Sequence, residues 1–159
     1  MINWWKKRQL SVQIQRHSQA QEYDQALERL DQALKQFPND CSFLIEKTWT
    51  LLDQKHWDQA HDIAHKLYQK DSQHPVYALL LGEALYGQKH YEKAIEILKQ
   101  CMSLSSGNLK AEYMLGLCYT ALQDFDAASS YFESLVRYDP AILHSRLLVM
   151  AESYLQGKR

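Results

Sequence analysis

Apolar residues recur along this chain at helical spacing, in runs that are themselves repeated. Leu81 and Leu85 stand four apart, as do Leu115 and Tyr119; further on Leu98 and Met102, then Phe132 and Val136, do the same. Each run predicts a helix with one apolar stripe. Breakers separate the runs: "FP" (Phe37, Pro38), "DSQHP" (Asp71–Pro75), "SSGN" (Ser105–Asn108) and "DP" (Asp139, Pro140). Proline removes a backbone donor and stops a helix, and the other clusters favour turns.

The runs repeat with a step of 34 residues. One column reads Tyr23, Trp57, Tyr91, Phe125, and three positions on another reads Ala26, Ala60, Ala94, Ala128. An acidic column, Asp24, Asp58, Glu92, Asp126, follows the aromatic one, where a carboxylate complements the positive end of a helix dipole. Earlier in the row stand Ile14, Thr48, Gly82 and Gly116. Four rows fit without an insertion: 7–40, 41–74, 75–108 and 109–142. Each row reads as two helices, the second starting near the aromatic. The glycines and alanines are expected where helices approach closely, since a mid-helix glycine costs about 1 kcal/mol against alanine. A single row cannot bury its apolar faces, but stacked rows can.

These columns resemble the tetratricopeptide repeat, a helix pair with a small residue in its first helix, an aromatic opening its second, an alanine three on and a terminal proline. The resemblance covers 7–142 and implies an all-α fold, a right-handed superhelical α-solenoid of four helix pairs. The first row is degenerate: Gln13 and His17 occupy columns that hold Leu81, Leu115 and Leu85, Tyr119. Residues 1–6 are read as an N-terminal extension or lid. The run "AILHSRLLVMAESYLQ" (141–156) reads as a fifth first helix without a partner, so 143–159 is assigned as a capping helix and tail.

What the resemblance implies for function is a concave groove lined by first helices, in which an extended peptide or a helix docks. The inward columns from the second row on are Ile45, Leu79, Tyr113, Leu147; Glu46, Leu80, Met114, Leu148; Trp49, Glu83, Leu117; and Leu52, Tyr86, Thr120. Most are apolar or aromatic, types that dominate interface energetics. The groove residues expected to bind a partner are therefore Ile45, Trp49, Leu52, Leu79, Leu80, Tyr86, Tyr113, Met114, Leu117, Leu147 and Leu148. One subclass of the family grips acidic C-terminal tails with Lys, Arg and Asn. Here Ile45, Leu79 and Tyr113 stand where a basic residue is needed, and Trp49 and Leu117 where Asn is, so that mode is rejected. An apolar groove suits a hydrophobic helix or extended segment. The alternatives are a chaperone like those of type III secretion, which hold a partner's apolar segment, and a membrane-proximal assembly factor. Closure of the groove by a terminal segment or a second copy, giving a homo-oligomer, is also open.

The remaining features narrow this little. Of 159 residues 46% are hydrophobic and 23% charged, and the formal net charge is -1, which offers no global field for nucleic acid. Cys41, Cys101 and Cys118 are an odd number at unrelated spacings, neither a disulfide framework nor a zinc motif. Cys101 and Cys118 read as small core residues. No apolar run approaches the roughly 18 residues of a membrane span, so a cytoplasmic location is expected. The run "WWKKR" (Trp4–Arg8) could reach a membrane interface, but packing of Trp4 and Trp5 as a lid on the first repeat is favoured. His61 and His65 lie four apart beside Asp58 and Asp62 without a third ligand, so no metal is expected. No phosphate loop, nucleophile elbow or paired-carboxylate motif is present; neither a cofactor nor catalysis is expected.

Overall fold

The computed structural model describes residues 2–138. Eight helices follow one another among them: α1 Ile2–Gln19, α2 Tyr23–Gln36, α3 Cys41–Asp53, α4 Trp57–Lys70, α5 Pro75–Gly87, α6 Tyr91–Leu104, α7 Leu109–Ala121 and α8 Phe125–Val136. No strand occurs among the described residues. The capping helix assigned to 143–159, with Leu147 and Leu148, lies outside them.

Every second helix opens on the aromatic column, with the acidic column in its first turn. The turn before it is the same in all four pairs. Gln21, Lys55, Lys89 and Gln123 adopt φ of 57°, 60°, 65° and 62°. The following N–H reaches back five residues, from His56 to Leu51 O at 2.8 Å and from His90 to Leu85 O at 2.9 Å. This left-handed cap satisfies carbonyls that the first helix leaves open.

The turns before α3 and α7 are capped by side chains. Asp40 accepts from the N–H groups of Ser42 and Phe43, and Asn108 from that of Ala111. Pro75 occupies the first turn of α5, where its missing N–H costs nothing. Asp40 also pairs with Lys7 at 2.5 Å, tying α1 to α3. Burial raises the Asp40 pKa, but Lys7 and the two N–H groups outweigh it and hold the carboxyl below its ordinary value. The folded-state pKa is thus the lower one. The stabilisation is present above the unfolded value and lost as pH falls through the folded one. Asp40→Ala is expected to cost about 0.5–2 kcal/mol at neutral pH. Thermal unfolding checks this, and the gap from wild type should close in acid.

Packing between the helices of a pair depends on small residues. A Cβ on Gly82 would lie 2.6 Å from Leu98 Cγ, and one on Gly116 2.7 Å from the Phe132 ring. In the second pair the volumes are exchanged: buried Thr48 fills the glycine column and Ala64 the column of Leu98 and Phe132. The Thr48 hydroxyl donates to Leu44 O at 2.7 Å, so its burial leaves no open donor. One apolar cluster runs from Leu51 to Cys118 through three pairs, flanked by Ile14, Leu30, Ala33 and Phe43 at one end and Phe125, Ala128, Phe132 and Leu135 at the other.

The N-terminal end differs from the lid expected for it. Residues 2–6 belong to α1, and Trp4 and Trp5 are 64% and 58% exposed. Ile14 and Leu10 face the second helix. At about 100° per residue the nine positions from Trp5 to Ile14 make two and a half turns, so Trp5 points away from the Ile14 face. Degenerate Gln13 is exposed, and His17 is partly buried against Glu22 at 2.6 Å.

Candidate partner-binding groove

Successive first helices approach one another: α3 touches α5, and α5 touches α7. Among the described residues the second helices make no comparable contact with one another, so the first helices lie on the inner side of the curve. Their inward residues separate into two layers. Ile45, Trp49, Tyr86, Tyr113 and Leu117 are partly buried and keep open surface. Leu52, Leu79 and Met114 are buried in the core cluster, at 3%, 6% and 5% exposure, and form the floor beneath them. Leu80 has no exposed surface. The column pattern points it at a partner, but it is a core residue, enclosed in the apolar cluster that runs through α5.

The open residues are held by their neighbours. Tyr113 packs edge-tilted on Phe132, ring centres 5.8 Å apart, over the gap that Gly116 leaves. Tyr86 leans on Tyr91 at 5.7 Å. Burial, then the nearby Tyr91, raises the Tyr86 pKa, so its hydroxyl stays protonated at neutral pH. The Thr120 hydroxyl is taken up by Gly116 O at 2.8 Å.

One polar group crosses this surface. The Lys110 ammonium lies 4.0 Å from the centre of the Trp49 ring and 2.8 Å from Glu83 Oε2. Three first helices, α3, α5 and α7, thus meet through one side chain each. Sequence reasoning did not place Lys110 in the groove. The available signal was its spacing: Lys110, Tyr113 and Leu117 fall on one face of α7, three and four residues apart.

Away from the groove, the His61 and His65 rings stack at 5.7 Å. Among the described residues no three His, Cys, Asp or Glu side chains gather as metal ligands would. Burial raises the Cys101 pKa and pushes that of Cys118 up to about 12. Cys41 differs: it opens α3, and Lys70 Nζ lies 3.1 Å from its sulfur. No helix of the described residues is long and apolar enough to cross a membrane.

Helix pairs in register, closed by small residues and curved with their first helices inward, define an all-α solenoid of the protein-interaction type. A family model described as "Tetratricopeptide repeat" matches residues 17–83, and one described as "Anaphase-promoting complex, cyclosome, subunit 3" matches 53–135. The chain belongs to the tetratricopeptide repeat family. It is 25% identical over 126 residues to the Bos taurus BBSome complex member BBS4, covering 74% of this chain and 24% of that protein. The chain therefore spans about a quarter of that relative's length. Among solved structures it resembles a thermophilic tetratricopeptide repeat protein of Thermus thermophilus, at TM-score 0.76 and 20% identity, covering 91% of this chain and 80% of that one. It also resembles MamA of Desulfovibrio magneticus, at TM-score 0.77 and 18% identity, covering 93% and 85%. At these identities the likeness shows the fold.

Proposed function

We propose that this chain is a non-catalytic scaffold or adaptor whose concave groove binds a hydrophobic helix or extended peptide of a partner protein. The observation that carries this reading is the inner layer of Ile45, Trp49, Tyr86, Tyr113 and Leu117, which keep open surface while the floor beneath them closes the core. Aromatic side chains with one open face are the usual anchors of protein interfaces. The buried thiols of Cys101 and Cys118, raised by burial, are not nucleophiles at neutral pH. The membership of a relative in the BBSome complex agrees with a role in assembly.

The test is a combined Trp49→Ala and Tyr113→Ala substitution, with partners captured from the native cell by the wild-type chain as ligands. Each anchor lost from an interface centre is expected to cost about 2 kcal/mol or more, so affinity should fall at least about a hundredfold in calorimetry. Circular dichroism should show unchanged helix content. Unchanged affinity would remove the groove from consideration.

A further inference from the structure

The groove contains a pairing that core packing does not require. Trp49 offers a ring face from α3, Glu83 a carboxylate from α5, and a cation already occupies the space between them. Glu83 is only 17% exposed at its side chain, and from the second row on its column otherwise holds Trp49 and Leu117. A carboxylate so far from water calls for a cation. Among the described residues Lys110 is the cation paired with it.

Lys110 is a loosely held occupant. Its side chain is 46% exposed and hangs from the second residue of α7, on a long flexible stem. An arginine arriving from outside would fit better. Its planar guanidinium can stack on the indole and present two parallel N–H groups to the carboxylate, which an ammonium cannot.

We propose that Trp49 and Glu83 form an acceptor for an arginine of the partner segment, and that Lys110 is an internal stand-in that the arginine displaces. This rests on the groove reading given above. The partner would then carry one arginine flanked by large apolar side chains, which Tyr86, Tyr113 and Leu117 take up. Lys110, released to solvent, would disfavour partners that cannot replace it.

The alternative is that Lys110 only braces α5 against α7, and the two readings differ in sign. The probes are an acetylated, amidated leucine-rich peptide with one central arginine and its norleucine counterpart. The readout is the NMR signal of the Trp49 indole N–H, assigned through Trp49→Phe. Lys110→Ala is expected to bind the arginine peptide about tenfold more tightly than wild type does; Lys110→Met, which keeps the apolar stem, should do the same. Glu83→Gln should abolish the preference for arginine over norleucine. Weaker binding by both Lys110 variants would overturn the proposal in favour of a brace. Equal affinity for the two peptides in every variant would overturn the acceptor and leave the groove reading intact. Failure of both peptides to shift the indole signal in every variant would count against the acceptor and the groove reading alike.

Discussion

Gly82→Thr is expected to destabilise the chain by about 1–3 kcal/mol, Leu98→Ala by about 2–5 kcal/mol, and the two together by less than their sum. The first substitution drives a β-branched side chain into Leu98, whose Cγ stands 2.6 Å from where even a Cβ would be. The second leaves a void behind a leucine with no exposed surface. Combined, they recreate the arrangement of the second helix pair, where Thr48 and Ala64 hold the same two columns and are both fully buried. The new hydroxyl would have the carbonyl of Ala78 four residues back as its acceptor, as Thr48 has that of Leu44. Contacting sites couple by about 0.5–3 kcal/mol, and a coupling within that range is expected here in favour of the double variant. Urea unfolding of the four proteins gives it directly. Strict additivity would mean that the two columns do not share one volume.

Cys41 is expected to react with iodoacetamide at least about a thousandfold faster than Cys118. The thiolate is the nucleophile, so each unit of pKa changes its fraction tenfold at pH well below that pKa. Burial pushes Cys118 up to about 12, against an ordinary value of 9.0. Cys41 moves the other way. Its sulfur receives a hydrogen bond from the Lys70 ammonium and a second from the Tyr77 hydroxyl, and these outweigh the effect of its burial. Tyr77 shifts in the opposite direction, its own pKa raised to about 12 by the neighbouring thiol and by burial. Cys41 is also partly exposed, whereas Cys101 and Cys118 have no open surface. Mass spectrometry of the modified peptides should find Cys41 labelled first at neutral pH. Its rate should level off at a lower pH than that of an ordinary thiol, because a lowered pKa completes ionisation earlier. Lys70→Ala should shift that profile to higher pH without altering the other two sites. Equal labelling of all three cysteines under native conditions would contradict the burial of Cys101 and Cys118.

Much of the fold was legible as columns. Tyr23, Trp57, Tyr91 and Phe125 mark where four helices begin, and the breakers at Phe37–Pro38, Asp71–Pro75 and Ser105–Asn108 mark where the first three of them stop. These signals are short-range, since a helix start depends on its own first turn. The left-handed turn residues were not legible. Gln21, Lys55, Lys89 and Gln123 lack the glycine that usually announces such a conformation, and it is the packing of the paired helices that holds them there. The groove was legible only in outline. Trp49, Tyr86 and Tyr113 keep open surface, but Leu80 is fully buried, and Lys110 enters from a column one turn earlier than those read as inward.

By itself, then, the sequence determined the order of the helix pairs among the described residues and which columns close them, because a 34-residue repeat writes the same packing requirement in every row. Only the tertiary structure decided which inward side chains remain open, that Trp5 faces outward, and that Lys110 reaches both Glu83 and Trp49. Those outcomes depend on the distance and crossing angle between helices far apart in the chain, quantities that no periodicity within a helix records.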